Sequence, residues 1–347
     1  MIAMSGVKFL WLLAIVMFVS LAVTGAIRVF AFRAGLLDRP TSRSSHVAPT
    51  PRGGGMAFVI TFLAAVSWLG LNHEVSLAIV LALLLGGAPV ALIGFLDDRN
   101  SLPASLRFFV HIGAAVIVIA CIGSAPLTFI ARSGFAWHFV ERILTIVAIV
   151  WMINLFNFMD GIDGIAGSQA VFVAGAGALI CGIQFGDLGT ALAFSCLASA
   201  TVGFLVWNWP PAQIFMGDAG SGFLGFSLGV LGLFACQRSD VPLAVWVILN
   251  GVFLVDATVT LLRRIWRGEQ WLEPHRLHAY QHLSRRWKGH LPVTLSVVAI
   301  NVVWLLPWAW FAATHRGVGL QCVVAAILPI TLIAFLCRAG APETSNP

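Results

Sequence analysis

The sequence predicts an all-α integral membrane protein, a polytopic bundle of about 11 transmembrane helices with its N-terminus outside the cell and its C-terminus in the cytoplasm. Of the 347 residues, 59% are hydrophobic and only 10% are charged, against roughly 25% charged residues in an ordinary soluble domain. The mean hydropathy is +0.95. Because the apolar residues are grouped in stretches of about 20, the length that spans a bilayer as a helix, we expect residues 1–347 to form a single transmembrane domain.

Eleven apolar stretches carry this prediction. The first follows Lys8 and is longer than the apolar part of a usual signal peptide, so we expect it to be retained as a helix. The stretches cover residues 7–30, 53–71, 76–96, 107–124, 139–157, 165–184, 188–206, 219–236, 241–262, 292–312 and 318–337.

The basic residues set the predicted orientation, since cytoplasmic loops of membrane proteins carry an excess of lysine and arginine. With eleven spans, the odd-numbered loops and the C-terminal tail share one face and hold fourteen basic residues, whereas the other face holds five. We therefore expect the first face to be cytoplasmic, where positive charge favours anionic lipid headgroups and phosphorylated substrates. No nucleic-acid partner is expected, because the basic residues are separated by spans and belong to no nucleic-acid-binding motif.

Five aspartates cluster on this predicted cytoplasmic face. Asp97 and Asp98 end the third stretch, Asp160 and Asp163 lie between the fifth and sixth, and Asp218 opens the eighth. A single aspartate at such a position is usually a solvated interface residue or a helix N-cap. Carboxylates brought together would repel one another without a cation, and Mg²⁺ binds carboxylates together with substrate phosphates. The pattern therefore predicts a metal–phosphate site.

Glycines accompany these aspartates in DGIDGIAGS and GDAGSG, each at the start of an apolar helix. Free backbone N–H groups and the helix dipole favour anions there, so both starts are candidate phosphate sites. Close helix packing is the alternative explanation, and we prefer it for Gly225 and Gly229, deeper in the eighth stretch. A P-loop nucleotide triphosphatase is excluded, since neither Lys8 nor Lys288 stands in the required motif.

Two further polar loops complete the predicted face. Residues 38–55 offer Arg43, His46 and Arg52 for phosphate contacts. The longest cytoplasmic loop, residues 263–291, carries His275, Arg276 and His278 among arginines and tryptophans. An amphipathic interfacial helix with an aromatic belt remains an alternative interpretation of that loop.

Five motifs occur in a fixed order: D-R-P-x-x-R-x-x-H with T-P-R-G-G-G (38–55), G-F-L-D-D (94–98), N-F-M-D-G-I-D-G-I-A (157–166), W-N-W-P-P-A-x-x-F-M-G-D-A-G-S (207–221) and H-R-x-H-x-Y-Q (275–281). Together they resemble the polyprenyl-phosphate N-acetylhexosamine-1-phosphate transferases of glycosyltransferase family 4, which include the muramoyl-pentapeptide transferases of peptidoglycan synthesis. The resemblance extends over nearly the whole chain.

The resemblance implies an enzyme of the bacterial inner membrane with its active site on the cytoplasmic side. With Mg²⁺, or Mn²⁺ in its place, such an enzyme transfers an N-acetylaminosugar 1-phosphate from a UDP-sugar to undecaprenyl phosphate and releases UMP. The implied partners are the UDP-N-acetylaminosugar, undecaprenyl phosphate and membrane lipids, and a homodimer is left open. Phosphoryl transfer of this kind requires positioning and charge neutralisation more than covalent help.

The same resemblance implies roles for individual residues. Asp218 would be the main metal ligand, supported by Asp98, and Asp97 and Asp98 would orient or deprotonate the lipid phosphate. The uridine pocket would be lined by Asn157, Asp160, Asp163 and Asn208, with Phe215 stacking on uracil. Because Asp160 and Asp163 are three residues apart, we expect one helix start to present both carboxylates one turn apart toward the ligand.

One motif departs from the common family pattern. Many relatives have adjacent histidines in the last cytoplasmic loop, whereas this chain has His275-Arg276-Leu277-His278. The variant is similar to the O-antigen-initiating branch and disfavours the muramoyl-pentapeptide branch. His275, Arg276 and His278 are still expected to suit a diphosphate.

A polytopic ion-coupled transporter is the alternative from another class, because acids within membrane proteins often mark ion pathways. Asp256 in the ninth stretch and His111 in the fourth are the deeper candidates. Transporters place such residues near the midplane of inverted repeats, whereas here the other acids lie near one interface and no repeat is evident.

Overall fold

A computed structural model describes residues 6–38, 49–125, 135–269 and 275–342. Within these ranges the chain is helical apart from one two-stranded antiparallel ribbon, β1 (Leu37–Asp38) with β2 (Thr50–Pro51), so the all-α prediction is confirmed. The helices are α1 (Gly6–Arg33), α2 (Gly55–Leu71), α3 (Leu77–Arg99), α4 (Ala104–Ile122), α5 (Phe135–Phe158), α6 (Ile165–Gln184), α7 (Leu188–Asn208), α8 (Asp218–Ser239), α9 (Leu243–Leu249), α10 (Gly251–Trp266), α11 (Ala279–Arg286), α12 (Leu291–Thr314) and α13 (Gly319–Leu336).

Helix length and composition make the protein a multi-pass integral membrane protein, as predicted. Nine helices of the described ranges are each long and apolar enough to cross a bilayer. α9 and α10 form a broken tenth span, bent by 75°. α2 is apolar but has 17 residues, the lower end of the usual range for a transmembrane helix.

The helix ends fall into two groups at opposite ends of the bundle. Gly6, His73, Asp187 and Ser239 line one cavity of about 1020 Å³ and mark what we call the far end. The clustered aspartates Asp97, Asp98, Asp160, Asp163 and Asp218 lie at the other end, together with the described residues near the C-terminus, and we call it the site end. Counting α9 with α10, the described helices pass between these ends eleven times, in agreement with the predicted path; the number of membrane crossings stays a prediction.

α8 is the central helix of the bundle and is buried along almost its whole length. Small residues let neighbouring helices approach it closely. At Gly94 of α3, an added Cβ would lie 2.6 Å from the backbone of Asp218. Gly94 and Asp98 are four residues apart and therefore share a face of α3, so this close packing brings the Asp98 side chain to the start of α8.

Candidate active site

Asp98 binds the first backbone N–H groups of α8. Its Oδ1 accepts a hydrogen bond from Asp218 N at 3.0 Å, and its Oδ2 lies 3.5 Å from Ala219 N. Gly217 precedes them with φ +78°, a conformation that a side chain would strain. The Asp98 carboxylate therefore occupies the anion position at this helix start in the structure, and the expected phosphate contact there stays a prediction.

Arg52 joins Asp98 to Asp218. Its Nη2 lies 2.9 Å from Asp98 Oδ1 and 2.8 Å from Asp218 Oδ1. The loop that holds it is fixed by backbone hydrogen bonds: Phe215 N donates to Pro51 O at 2.8 Å, and Gly54 N donates to Phe215 O at 2.9 Å. The motif around residues 50–55 and the motif that ends at residue 221 thus form one unit.

A second arginine, Arg107 in the first turn of α4, contacts the same cluster. Its Nη1 lies 2.5 Å from Asp97 Oδ2 and 3.6 Å from Asp218 Oδ2. The other oxygen of Asp97 accepts a hydrogen bond from Leu102 N at 2.7 Å. Asp97 therefore fixes the turn between α3 and α4 and holds Arg107 against Asp218.

Asn157 and Asp160 approach the cluster from the end of α5. Asn157 Nδ2 donates to Ser221 Oγ at 3.3 Å, in the first turn of α8. Burial raises the pKa of the Asp160 carboxyl well above its usual value, and the negative charge of Asp218 adds to the rise. A cation bound among these carboxylates would favour the ionised form of Asp160.

Asp160 and Asp163 lie in a turn and not on a helix, so the expectation that one helix start presents both carboxylates one turn apart is wrong. Residues 159–164 form a turn and α6 begins only at Ile165. Asp163 Oδ2 accepts a hydrogen bond from Ala212 N at 3.0 Å and lies 3.2 Å from His290 Nδ1. Asp163 therefore ties the turn to the loop before α8 and to the start of α12.

Asn208 is buried and its amide is bound by the protein on both sides. Its Oδ1 accepts from Gly164 N at 3.1 Å, and its Nδ2 donates to Ile214 O at 3.0 Å. Asn208 thus shapes the turn that carries Asp160. Phe215 is half-buried, and its backbone pairs with Pro51 and Gly54, on either side of Arg52 in the chain. Its stacking role stays a prediction, and Arg43 and His46 lie outside the described residues.

The histidine segment, residues 275–281, lies at the same end of the bundle. His278 is buried, and its ring is 4.9 Å from that of His275 and 5.6 Å from that of Tyr280. Burial lowers the pKa of His275 to about 4, helped by the charges of His278 and Arg264. His275 and Arg276 are half-buried, and Tyr280 Oη donates to Phe158 O at 3.0 Å, which links the segment to the Asp160 turn.

The donor set fits a divalent cation. Asp98 and Asp218 direct one oxygen each at a single cationic nitrogen, Nη2 of Arg52, at 2.9 and 2.8 Å, and Mg²⁺ prefers hard oxygen ligands of this kind. In the part of the chain that the structure describes, no three metal-binding side chains are grouped, so substrate oxygens would complete the coordination. If all four carboxyl groups of Asp97, Asp98, Asp160 and Asp218 are ionised, as a bound cation would favour, the two charges of Arg52 and Arg107 leave an excess of two negative charges.

Two residues that contact these segments are absent from the site predicted from the sequence. Arg107 stands in the first turn of an apolar helix, where the helix dipole disfavours positive charge; that position was the available signal. Asp256, considered only as a transport residue, accepts hydrogen bonds from the histidine segment. Its signal was an ionisable residue within an apolar span.

The chain is similar to known proteins over most of its length. A sequence model of glycosyl transferase family 4 matches residues 80–235. A probable undecaprenyl-phosphate N-acetylglucosaminyl 1-phosphate transferase of Bacillus subtilis strain 168 is 27% identical over 293 residues, which cover 82% of this chain and 79% of the relative.

Two other relatives extend the comparison. A decaprenyl-phosphate N-acetylglucosaminephosphotransferase of Mycolicibacterium smegmatis is 30% identical over 363 residues, covering 92% of this chain and 87% of the relative. A phospho-N-acetylmuramoyl-pentapeptide-transferase of Moorella thermoacetica is 31% identical over 251 residues, covering 67% and 74%. With the helical fold and the aspartate cluster at one end of the bundle, these matches show that the chain belongs to glycosyl transferase family 4.

Proposed function

We propose that this protein transfers an N-acetylhexosamine 1-phosphate from a UDP-sugar to undecaprenyl phosphate at the cytoplasmic face of the membrane and releases UMP. The relatives are named for sugar-1-phosphate transfer to polyprenyl phosphates. The observation that carries the proposal is the convergence of Asp98 and Asp218 on Arg52. We further propose that the reaction starts the synthesis of O-antigen or a related envelope glycan.

The proposed reaction is a phosphoryl transfer. An oxygen of the lipid phosphate attacks the sugar-linked phosphorus, and the bond from that phosphorus to the bridging oxygen of UMP breaks. The lipid phosphate needs little general-base help, since its second pKa is near 6. The protein's task is then to hold two anionic substrates together, as in other phosphoryl transfers.

Arg107 and Asp97 suit the acceptor side of the site. Arg107 is held by Asp97 at the start of α4, and its positive charge favours the lipid phosphate. Arg52 pairs with both Asp98 and Asp218, and it would contact phosphate oxygens if those carboxylates bind Mg²⁺. The metal would supply neutralisation of the charge that develops on the diphosphate.

The donor side is assigned to the Asp160 turn and the histidine segment. Asn157 and Asp160 border the start of α8, and we assign Phe215, whose backbone pairs with the segment that holds Arg52, to stacking on uracil. In the histidine segment, half-buried Arg276 suits the diphosphate, whereas His278 is buried among aromatic rings. We therefore assign Arg276 to ligand contact and His278 to the support of the segment.

The transporter alternative uses the cytoplasmic-side aspartates, and Asp256 is its deeper acidic candidate. That carboxylate accepts hydrogen bonds from Ala279 N, at 2.9 Å, and from Tyr280 N, at 3.1 Å. A carboxylate held by backbone groups of a packed loop is poorly suited to relay ions, which favours the enzyme.

UMP release by the purified protein in detergent tests the proposal. With UDP-N-acetylglucosamine as donor, we expect release only when undecaprenyl phosphate and Mg²⁺ or Mn²⁺ are both present. Excess EDTA is expected to abolish release, and added Mg²⁺ to restore it. Turnover without the lipid, or full activity in EDTA, would contradict the proposal, and a panel of UDP-sugars then identifies the preferred sugar.

Asp218→Asn provides the matching variant, because it keeps the size of the side chain and removes its charge. We expect it to abolish UMP release. Asp240→Asn is the control, since Asp240 follows the other end of α8 in a left-handed conformation that asparagine also adopts readily. Near-normal turnover by Asp218→Asn would remove Asp218 from the active site.

A further inference from the structure

Asp256 is a buried carboxylate in α10 that binds the start of α11. Its Oδ1 accepts from Ala279 N at 2.9 Å, and its Oδ2 accepts from Tyr280 N at 3.1 Å. His278 Nδ1 lies 3.3 Å from Oδ1. Because a carboxylate accepts and does not donate, a hydrogen bond between these atoms requires a proton on Nδ1, and it orients the His278 ring.

These contacts make Asp256 the anion at the N-terminus of α11. The first N–H groups of a helix have no partner within the helix, and a negative charge there also compensates the helix dipole. Gln281 completes the start of α11, since its Oε1 accepts from His278 N at 3.3 Å. The N-terminus of α11, within the histidine segment, is therefore capped by a residue on a different helix.

Tyr280 extends this arrangement to the turn that carries Asp160. Its backbone binds Asp256, and its Oη donates to Phe158 O at 3.0 Å. A Cβ at Gly161 would overlap Tyr280 Oη, so the turn packs directly against the tyrosine ring. Asp256 is thus connected through one side chain to the other half of the proposed donor site.

A second contact fixes the opposite side of the histidine segment. Gly340 N donates to Leu277 O at 2.6 Å, and Arg263 Nη1 donates to Ala339 O at 2.7 Å. The segment is therefore held between α10 and the residues that follow α13, and Asp256 is its anchor on the α10 side.

We infer that Asp256 is a positioning residue for the sugar-nucleotide donor: it holds the histidine segment so that Arg276 faces the diphosphate. This inference rests on the proposed function. A purely structural role does not need a buried charge, since apolar residues of similar size often stabilise a protein as well as a buried ion pair does. Asp256 instead supplies acceptors in two directions, to a helix start and to a histidine ring.

Asp256→Asn tests the inference, because asparagine has one acceptor oxygen and turns an NH₂ group toward a backbone N–H that needs an acceptor. We expect kcat/KM for UDP-N-acetylglucosamine to fall about 10- to 100-fold, the scale of a small misplacement of a binding group. The KM for undecaprenyl phosphate is expected to stay within about twofold, because the acceptor side is formed by other elements.

Asp187→Asn is the matched control. Asp187 also binds a helix start, accepting from Thr190 N at 3.0 Å and from Ser239 Oγ at 2.5 Å, but it lies at the far end of the bundle. We expect Asp187→Asn to lower the unfolding temperature in detergent while leaving both kinetic constants unchanged. A donor defect in Asp256→Asn no larger than that in Asp187→Asn, or an equal defect for donor and acceptor, would overturn the inference.

A milder variant covers the case in which Asp256→Asn does not fold. Tyr280→Phe removes only the hydrogen bond to Phe158 O and leaves the backbone contacts of Asp256 in place. It is expected to show a smaller defect of the same kind, in the donor and not in the acceptor; unchanged donor kinetics would count against the inference. If the parent protein itself releases no UMP, the proposed function fails, whereas an active parent with unaffected variants refutes only the role of Asp256.

Discussion

Asp98 combines two contacts that substitution can separate. Its carboxylate caps α8 through Asp218 N at 3.0 Å and pairs with Arg52 at 2.9 Å. In Asp98→Asn the amide oxygen still accepts from Asp218 N, so the shorter cap bond is kept, whereas the 3.5 Å contact with Ala219 N and the charge are lost. Asp98→Ala also loses the shorter cap bond.

The expected losses of stability follow from these contacts. Arg52 is 38% exposed and keeps Asp218 as a partner, so loss of its pair with Asp98 costs about 1 kcal/mol, the upper range for solvent-screened pairs. Loss of a helix cap costs about a further 1 kcal/mol. We therefore expect the free energy of unfolding to fall by about 1 kcal/mol in Asp98→Asn and by about 2 kcal/mol in Asp98→Ala.

Activity is expected to follow the charge and not the cap. Both variants lack the carboxylate that Arg52 and a divalent cation require, so kcat should fall about 10²- to 10³-fold in each, the scale for one preorganised electrostatic group. Thermal unfolding in detergent and UMP release measure the two effects on the same samples. Equal stability of the two variants would refute the capping role, and near-normal kcat in Asp98→Asn would refute the role of the charge.

Three further predictions test other parts of the site. Arg107→Gln is expected to raise the KM for undecaprenyl phosphate more than the KM for the donor. The control Arg99→Gln, which removes an arginine over the Phe95 ring, should change neither KM. A defect confined to the donor would contradict the assignment of Arg107. Asn208→Ala is expected to lower the free energy of unfolding by about 2 kcal/mol, because Gly164 N and Ile214 O lose buried partners. An equal loss in the half-buried control Asn154→Ala would argue against the importance of these two hydrogen bonds. The pKa of His275 is lowered to about 4 from its usual 6.5, so the unfolded chain binds a proton first as the pH falls. The parent should therefore lose stability relative to His275→Gln between about pH 6.5 and pH 4, whereas the exposed control His315→Gln should show no such loss. A stability difference between the parent and His275→Gln that stays constant across that window would refute the pKa shift.

The sequence contains most of what determines the fold. Hydropathy depends on composition over about 20 residues, so the eleven stretches predicted from it correspond closely to α1 to α8, the broken pair α9–α10, α12 and α13. The 75° bend at Asn250 was not predicted, because it interrupts an apolar stretch at a point with no neighbouring proline. Counting the spans places Asp97, Asp98 and Asp218 on the same face of the membrane. The structure brings these residues together around two arginines.

The directions of individual side chains were harder to predict. Asp160 and Asp163 suggested one helical turn, but Gly164 adopts φ +73° and the chain turns before α6, so the two carboxylates face different partners. The capping of α8 by Asp98 and of α11 by Asp256 joins residues more than 20 positions apart. Contacts of this kind depend on how helices pack against each other, which neither periodicity nor composition specifies.

The fate of the sugar-linked phosphorus tests the central proposal most directly. UDP-N-acetylglucosamine labelled with ³²P in the phosphate next to the sugar is incubated with the purified protein, undecaprenyl phosphate and Mg²⁺, and the lipid is extracted. Sugar-1-phosphate transfer predicts that the label enters the lipid fraction together with the sugar, while unlabelled UMP remains in water. Sugar in the lipid without the label, with labelled UDP left in water, would show transfer of the sugar alone and would contradict the proposed reaction.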